Sequence, residues 1–123
     1  MPVKPGDSAL ATRLKKEVKG DVLFDAATRG RYSTDASIYQ IEPIGVVVPI
    51  TEEDAATAMQ IALDSGVAVL PRGGGTSQCG QTVGEALVID VSKYLRHVVD
   101  FNAEARTCVV QPGMVLDQLN AFL

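Results

Sequence analysis

The sequence predicts an α/β domain with a small, mostly parallel sheet, and α+β is the alternative. An apolar run at 46–48, a capped amphipathic stretch at 52–65 and a second apolar run at 67–70 form a strand-helix-strand unit. The crossover in such a unit makes its two strands parallel. Two short β-branched runs on either side of residues 102–105 add a hairpin at 97–111.

The composition is that of one small domain. The 123 residues are 46% hydrophobic and 5% aromatic with no Trp, so the core must consist of Val, Ile, Leu and Ala. No stretch reaches the ~18 apolar residues of a membrane span, and no secretory signal is apparent. Two cysteines and one histidine exclude a disulfide scaffold and a metal site of several His. We expect a cytoplasmic protein with reduced thiols.

Charge is distributed unevenly along the chain. Residues 1–31 contain seven Lys or Arg against four Asp or Glu, whereas residues 32–123 contain four against eleven. This acidic body argues against nucleic acid as a partner, because nucleic-acid binding needs a basic face. Between Tyr32 and Ser92 the only basic residue is Arg72.

Residues 1–30 are predicted to form an amphipathic helix and a lead-in. Asp7 or Ser8 can cap this helix, which runs to about Lys19 and ends at Gly20. Its apolar residues recur every four positions: Leu10, Leu14 and Val18. The basic residues off this stripe are interpreted as a solvated face. The alternative is contact with a partner or a membrane surface, at the periphery of the inner membrane. Residues 21–45 are expected to be irregular.

The strand-helix-strand unit has clear boundaries. Pro49 ends the first strand, Thr51 caps the helix, and acidic residues occupy the first helical turn. The inner face of the helix is predicted to carry Ala55, Met59, Ala62 and Leu63. Gly66 supplies the left-handed stop, and a further strand is predicted at 86–90.

A helix is predicted from Met114 to Leu123. Its apolar positions Val115, Leu119 and Phe122 share one side. Because this helix has neither a cap nor a polar tail at its end, we interpret residues 31–123 as part of a domain truncated at its C-terminus.

The glycine loop at 71–84 is the most informative segment. It follows a predicted parallel strand, and ligands of α/β sheets bind at the carboxyl ends of strands. Three successive glycines, Gly73 to Gly75, let the backbone approach a ligand closely. Successive N–H groups then suit phosphate oxygens, and Arg72 adds a positive charge. The alternative interpretation is a glycine-rich turn without a ligand.

Two common phosphate motifs do not match. The dinucleotide pattern GxGxxG fails because Gln78 occupies its third glycine position. The pattern GxxxxGK[ST] has Gln81 in place of its Lys, which removes the main partner of the β- and γ-phosphates. Hydrolysis of a nucleoside triphosphate is therefore not expected.

Several segments together carry a family resemblance. They are the run PRGGGTSQCGQ at 71–81, VVVP at 46–49, RYSTDASIY at 31–39, LVIDVS at 87–92 and VQPG at 110–113. The ensemble resembles the FAD-linked oxidases of the vanillyl-alcohol oxidase and p-cresol methylhydroxylase type. Within them it is similar to the branch of D-2-hydroxy-acid and D-lactate dehydrogenases. The resemblance implies that residues 31–123 are the first half of such an FAD-binding domain.

The resemblance also implies a cofactor and a reaction. FAD would accept a hydride at N5 from a 2-hydroxy acid such as D-lactate or glycolate, which a domain outside this sequence would bind. Thr76 stands where some relatives have the His that attaches FAD covalently, so FAD is expected to bind non-covalently. Iron–sulfur modules are possible elsewhere in the protein, and no metal site is assigned here. The implied cofactor-binding residues are Arg72, Gly73, Gly74, Gly75, Thr76, Ser77, Gly80, Gln81, Pro112 and Gly113.

No residue is assigned as catalytic, and the 123-residue chain is expected to be inactive alone. Two other functions stay open. One is a binding module for another phosphate or nucleotide that acts alone. The other is a non-catalytic fragment that self-associates, for instance as a homodimer, through an exposed apolar surface.

Overall fold

The computed structural model describes residues 2–123, which form four helices and six strands. In chain order they are α1 (Ser8–Glu17), β1 (Asp21–Leu23), α2 (Ala26–Arg31), β2 (Gly45–Val48), α3 (Glu52–Asp64), β3 (Val69–Arg72), β4 (Leu87–Asp90), β5 (Val98–Asn102), β6 (Thr107–Val110) and α4 (Leu116–Phe122). Among these residues no helix is long and apolar enough to cross a membrane.

A four-stranded sheet in the order β1-β2-β4-β3 forms the centre of the fold. β2, β4 and β3 are parallel, and β1 joins the edge antiparallel to β2. The predicted α/β class, with a mostly parallel sheet, is therefore confirmed. The two strands of the strand-helix-strand unit are parallel as predicted, but they are not neighbours, because β4 lies between them. The second of them also begins two residues later than predicted, at Val69.

The core lies on both faces of this sheet. On one face α1 and α3 pack over the strands, so that Leu14, Val47 and Ile61 are almost fully buried. On the other face Val46 and Val88 form a smaller cluster, against which Tyr32 packs. Adjacent residues of β2 thus point to opposite faces, and both are buried because both faces are covered.

The N-terminal helix ends earlier than predicted, and Gly20 does not act as its left-handed stop. Asp7 caps α1 as predicted, but the helix stops at Glu17, with Val18 in an extended conformation. Gly20 is required for a different reason, because an added Cβ would lie 2.0 Å from the carbonyl oxygen of Val48. The connection to β1 therefore passes directly over the end of β2.

The expectation of irregular structure at 21–45 is wrong for two short elements, β1 and α2. Asp25 caps α2 by accepting hydrogen bonds from the backbone N–H and the hydroxyl of Thr28. β1 has three residues and α2 has six, which is too short to produce a recognisable periodicity. Both owe their conformation to pairing and packing with β2.

The buried face of α3 differs from the prediction by a rotation about the helix axis. Ala58, Ile61 and Ala62 are buried, whereas Met59 is 51% exposed and Leu63 is 71% exposed. The cap by Thr51 and the left-handed Gly66 are confirmed. Met59 and Leu63, four positions apart, both adjoin the same side of the buried stripe, so the sequence was also compatible with a helix rotated toward that side.

The predicted hairpin is present as β5 and β6, which form a separate two-stranded sheet. The terminal helix begins at Leu116, two residues later than predicted, and none of its residues is buried. Phe122 packs edge-to-face on Phe101 of β5, with 5.9 Å between the ring centroids. Both rings stay about half exposed, so this end of the molecule presents apolar surface.

Candidate functional site

The carboxyl ends of β3 and β4 lie side by side and frame a cavity. Arg72 at the end of β3 pairs with Asp90 at the end of β4. The cavity at this edge has a volume of about 270 Å³. It is lined by Arg31, Tyr32, Arg72, Gly73, Gly74, Asp90 and Ser92. The placement confirms the expectation that the glycine loop starts at the edge where parallel sheets bind ligands.

The first glycines of the loop leave open space beside the backbone. At Gly73 an added Cβ would meet nothing within 4 Å, and at Gly74 it would meet only a methyl carbon of Thr76, at 3.7 Å. None of the backbone N–H groups of residues 73–78 donates to a protein acceptor among the described residues. A run of free donors beside open space is what an anion with several oxygens needs.

Gly75 and Gly80 are glycines for a different reason. Both have positive φ, at 69° and 77° respectively. An added Cβ at Gly75 would lie 2.5 Å from Nη2 of Arg72, and one at Gly80 would lie 2.5 Å from Cδ2 of Tyr39. These two glycines therefore set the path of the loop and let other side chains pack against it.

The guanidinium of Arg72 donates to backbone carbonyls. Nη1 donates to the oxygens of Thr82, at 3.1 Å, and Tyr32, at 3.4 Å. Nη2 donates to the oxygen of Thr34, at 2.8 Å. The guanidinium carbon also lies 5.1 Å from the centre of the Tyr32 ring, within the range of a cation–π contact. Arg72 therefore connects the end of β3 to the segment at 32–34 and to the far end of the glycine loop.

Asp35 makes a second connection between the same two segments. Its carboxylate accepts from the hydroxyl of Thr82, at 2.9 Å, and from the backbone N–H of Ser37, at 2.8 Å. Hydrogen bonds, first from Ser37 and then from Thr82, lower the pKa of Asp35 to about 2. The carboxylate is thus ionised at neutral pH, and an ionised carboxylate accepts stronger hydrogen bonds than a protonated carboxyl group does.

A tyrosine and a carboxylate also line the cavity. The hydroxyl of Tyr32 donates to the carboxylate of Asp90, which also accepts from the backbone N–H and the hydroxyl of Ser92. Burial, followed by the hydrogen bond and charge of Asp90, raises the pKa of Tyr32 to about 12. Tyr32 is therefore neutral and acts as a donor, and Asp90 has its acceptor positions largely filled.

The remaining predicted site residues lie outside the cavity lining. Thr76 is exposed beyond it. Ser77 and Gln81 hydrogen-bond to each other through their side chains, which closes the turn that contains Gly80. Pro112 and Gly113 follow β6 in the chain. The N–H of Gly113 donates to the carbonyl oxygen of Leu95, at 2.8 Å, and an added Cβ would lie 2.0 Å from the carbonyl oxygen of Val91. Close backbone packing thus accounts for Gly113.

Sequence reasoning did not assign four residues that line the cavity. They are Arg31, Tyr32, Asp90 and Ser92. All four belong to segments that carried the resemblance, at 31–39 and 87–92, but no role followed from it. Asp90 ends a predicted parallel strand, and that position at the carboxyl edge was the available signal. Across residues 2–123, no cluster of three or more His, Cys, Asp or Glu side chains is arranged to hold a metal ion.

The sequence also matches a known protein family. A family model described as FAD binding domain matches residues 43–123, about two thirds of the chain. The chain belongs to this FAD-binding family. The match confirms the resemblance noted in the sequence and the prediction of FAD as the cofactor.

The curated relatives are much longer than this chain. A D-2-hydroxyglutarate dehydrogenase of Pseudomonas putida is 40% identical over 108 residues, which cover 85% of this chain and 11% of the relative. The glycolate oxidase subunit GlcD of Bacillus subtilis is 33% identical over 110 residues, covering 85% of this chain and 23% of the relative. The chain thus spans between about a tenth and a quarter of these relatives.

Solved structures share the fold. An alkyldihydroxyacetonephosphate synthase superposes with a TM-score of 0.79 at 19% identity, over 93% of this chain and 24% of that one. A xylooligosaccharide oxidase from Myceliophthora thermophila superposes with a TM-score of 0.73 at 23% identity, over 94% and 25%. The arrangement of β1 to β6 and the glycine loop is therefore a known architecture.

The residues at the cavity fit the diphosphate of FAD. The N–H groups of 73–78 have no protein acceptor among residues 2–123, and the open space at Gly73 and Gly74 permits close approach of a ligand. The guanidinium groups of Arg31 and Arg72 add positive charge at the same place. Asp90 is the one carboxylate in the lining, and its hydrogen bonds to Tyr32 and Ser92 disperse its charge.

Proposed function

We propose that residues 31–123 form the part of an FAD-binding domain that holds the pyrophosphate of FAD non-covalently. The free backbone N–H groups of residues 73–78, beside open space and two arginines, are the observation that carries this proposal. The loop requires no large rearrangement to present them, because Arg72, Asp35 and Tyr39 brace it from outside. Such preorganisation reduces the entropic cost of binding.

The protein to which this chain belongs is proposed to be a flavin-dependent oxidoreductase that acts on a 2-hydroxy acid. Relatives named D-2-hydroxyglutarate dehydrogenase, glycolate oxidase subunit and D-lactate dehydrogenase support this substrate class. When bound, FAD supplies the two-electron acceptor for this oxidation. The residues of this chain bind and orient the diphosphate, and none is assigned to proton abstraction.

Titration of the purified chain with FAD tests the binding proposal, with flavin fluorescence and calorimetry as readouts. Binding of FAD and of ADP, with riboflavin bound much more weakly, is the expected result, because the diphosphate provides the contacts. Gly74→Val should weaken FAD binding strongly, since its side chain would enter the open space at the loop. Gly30→Val is the matched control, because a Cβ at Gly30 would meet nothing within 4 Å and Gly30, on α2, does not line the cavity. Equal FAD binding by the Gly74→Val variant would refute the assignment.

An activity assay tests the substrate class. The full-length product of the gene would be assayed with D-lactate, glycolate and D-2-hydroxyglutarate, with an artificial dye as electron acceptor. Reduction of the bound flavin by at least one of them, and not by the corresponding 2-oxo acid, is expected. A flavin that none of these acids reduces would contradict the proposed activity while leaving FAD binding intact.

An exposed apolar surface keeps self-association as a second candidate. It is formed by the hairpin and the C-terminal end of the chain, where large apolar side chains are about half exposed or more: Val99, Phe101, Val109, Leu116, Phe122 and Leu123. Single exposed apolar residues are common on protein surfaces, whereas a cluster of them is typical of an interaction surface. Light scattering of the chain over a range of concentrations tests this candidate. A monomer at high concentration would exclude the homodimer.

A further inference from the structure

We propose that Arg72 controls FAD affinity as a positioning residue, by fixing the shape of the glycine loop through three backbone carbonyls. This inference rests on the proposed function of the loop. It differs from the simpler view of Arg72 as a cation that contacts phosphate. It assigns a role to the segment at 32–35, which the family resemblance left without one.

The contacts of Arg72 join segments that are far apart in the sequence. Its carbonyl acceptors lie 40 and 38 residues upstream, at Tyr32 and Thr34, and 10 residues downstream, at Thr82. The glycine loop therefore starts at Arg72 and returns to the same guanidinium at Thr82. A loop closed in this way has fewer conformations to lose when a ligand binds.

The chemistry of these contacts requires a guanidinium. The three acceptors are neutral carbonyl oxygens approached by two different nitrogens, Nη1 and Nη2, and no carboxylate of residues 2–123 forms a salt bridge with Arg72. The planar group also lies over the ring of Tyr32. A lysine would carry the same charge on one nitrogen and could not reproduce this fork or the stacking.

Gly75 shows that loop and guanidinium are fitted to each other. Its φ of 69° brings the backbone so close that an added Cβ would lie 2.5 Å from Nη2 and 3.0 Å from Cζ of Arg72. A side chain at position 75 would therefore displace the guanidinium while leaving its charge in the protein. The two residues should behave as one unit toward FAD.

FAD titration of Arg72→Lys separates positioning from charge. We expect FAD affinity to fall about 10- to 100-fold, because a charge-preserving change still loses the fork of hydrogen bonds that orders the loop. Arg96→Lys, at an exposed arginine outside the cavity, is the matched control and should bind FAD as the parent protein does. Affinity of the Arg72→Lys variant within about twofold of the parent would overturn the proposal, since charge alone would then suffice.

Chemical rescue provides a readout that a general loss of stability would not show. In Arg72→Ala, millimolar ethylguanidinium should restore FAD affinity in a saturable manner, whereas ethylammonium should not. Equal rescue by both ions would assign the effect to charge and contradict positioning. Absence of rescue by either ion, with a native circular dichroism spectrum, would also count against a local role of the guanidinium.

Gly75→Ala tests the same proposal without changing Arg72. FAD affinity should fall, and the fall should be smaller in the Arg72→Lys background, because both changes disturb one contact. Gly66→Ala is the control, since Gly66 has a similar φ of 66° but open space around it and lies at the end of α3. Full additivity in the double variant would refute the coupling. If the parent protein itself binds no FAD, the proposed function fails, and the positioning role fails with it.

Discussion

Replacing Asp54 with alanine should destabilise this protein far more than its place in the first turn of α3 suggests. Asp54 is buried, with only 5% of the residue exposed. It accepts hydrogen bonds from three backbone N–H groups, of Lys19 at 2.8 Å, Gly20 at 2.9 Å and Ile50 at 3.1 Å. It therefore links the connection between α1 and β1 to the end of β2.

The magnitude follows from these three contacts. A hydrogen bond to a charged group contributes about 1.5–3 kcal/mol, and a donor left without a partner in the interior costs about 1–3 kcal/mol. Since Lys19 and Ile50 are both exposed and water can replace the contacts of their N–H groups, we count only the bond from the half-buried Gly20 in full, which gives about 1.5–3 kcal/mol for Asp54→Ala. That is a large fraction of the roughly 5–15 kcal/mol by which a domain is stable.

Urea unfolding followed by circular dichroism measures this loss. Glu53→Ala is the matched control, because the exposed Glu53 contributes only its interaction with the helix dipole, about 0.3–1 kcal/mol. Asp54→Asn should fall between the two, since an amide keeps one acceptor and turns a donor toward an N–H. A loss in Asp54→Ala no greater than that in Glu53→Ala would refute the reasoning that the three backbone contacts are what this residue contributes.

Three further predictions concern the loop and its surroundings. Hydrogen bonds, chiefly from Ser37, lower the pKa of Asp35 to about 2. Its ionised carboxylate therefore contributes to stability above about pH 4, and this contribution disappears as the pH falls to about 2. The difference in unfolding free energy between the parent and Asp35→Asn should shrink over that interval. Gly113→Ala should cost about 1–3 kcal/mol in thermal unfolding, because its Cβ would overlap a backbone oxygen, and Gly30→Ala, on an open helical surface, should not destabilise. Arg31→Gln should weaken FAD binding at low ionic strength and much less at high salt, since the exposed Arg31 can act only through a screened charge; a salt-independent effect would contradict this role.

The site was only partly visible in the sequence. Three successive glycines after an apolar run were enough to locate the loop, because few residues other than glycine permit such close approach of a ligand. The structure divides these glycines into two kinds. Gly73 and Gly74 leave open space, whereas Gly75 is required by its positive φ and by the guanidinium of Arg72. No pattern of residue types distinguishes the two, because the difference depends on what lies beside each backbone.

For α3, the sequence predicted where the helix begins and ends but not which of its sides is buried. The cap at Thr51 and the stop at Gly66 were predictable, since each depends on the conformation of a few neighbouring residues. The rotation of α3 was not, because Met59 and Leu63 are as apolar as the residues that are buried. The packing of α3 against α1 and β4 decides which side of the helix faces the core.

The sequence by itself determined the class of the fold, the position of the loop and the family, and through the family the cofactor. These depend on short-range patterns, such as alternation, capping and a run of glycines, that act between residues close in the chain. Only the tertiary structure decided the order β1-β2-β4-β3, the cavity and the role of Arg72. Each of these depends on contacts between residues tens of positions apart, as between Arg72 and Thr34, and such contacts leave no local pattern in the sequence.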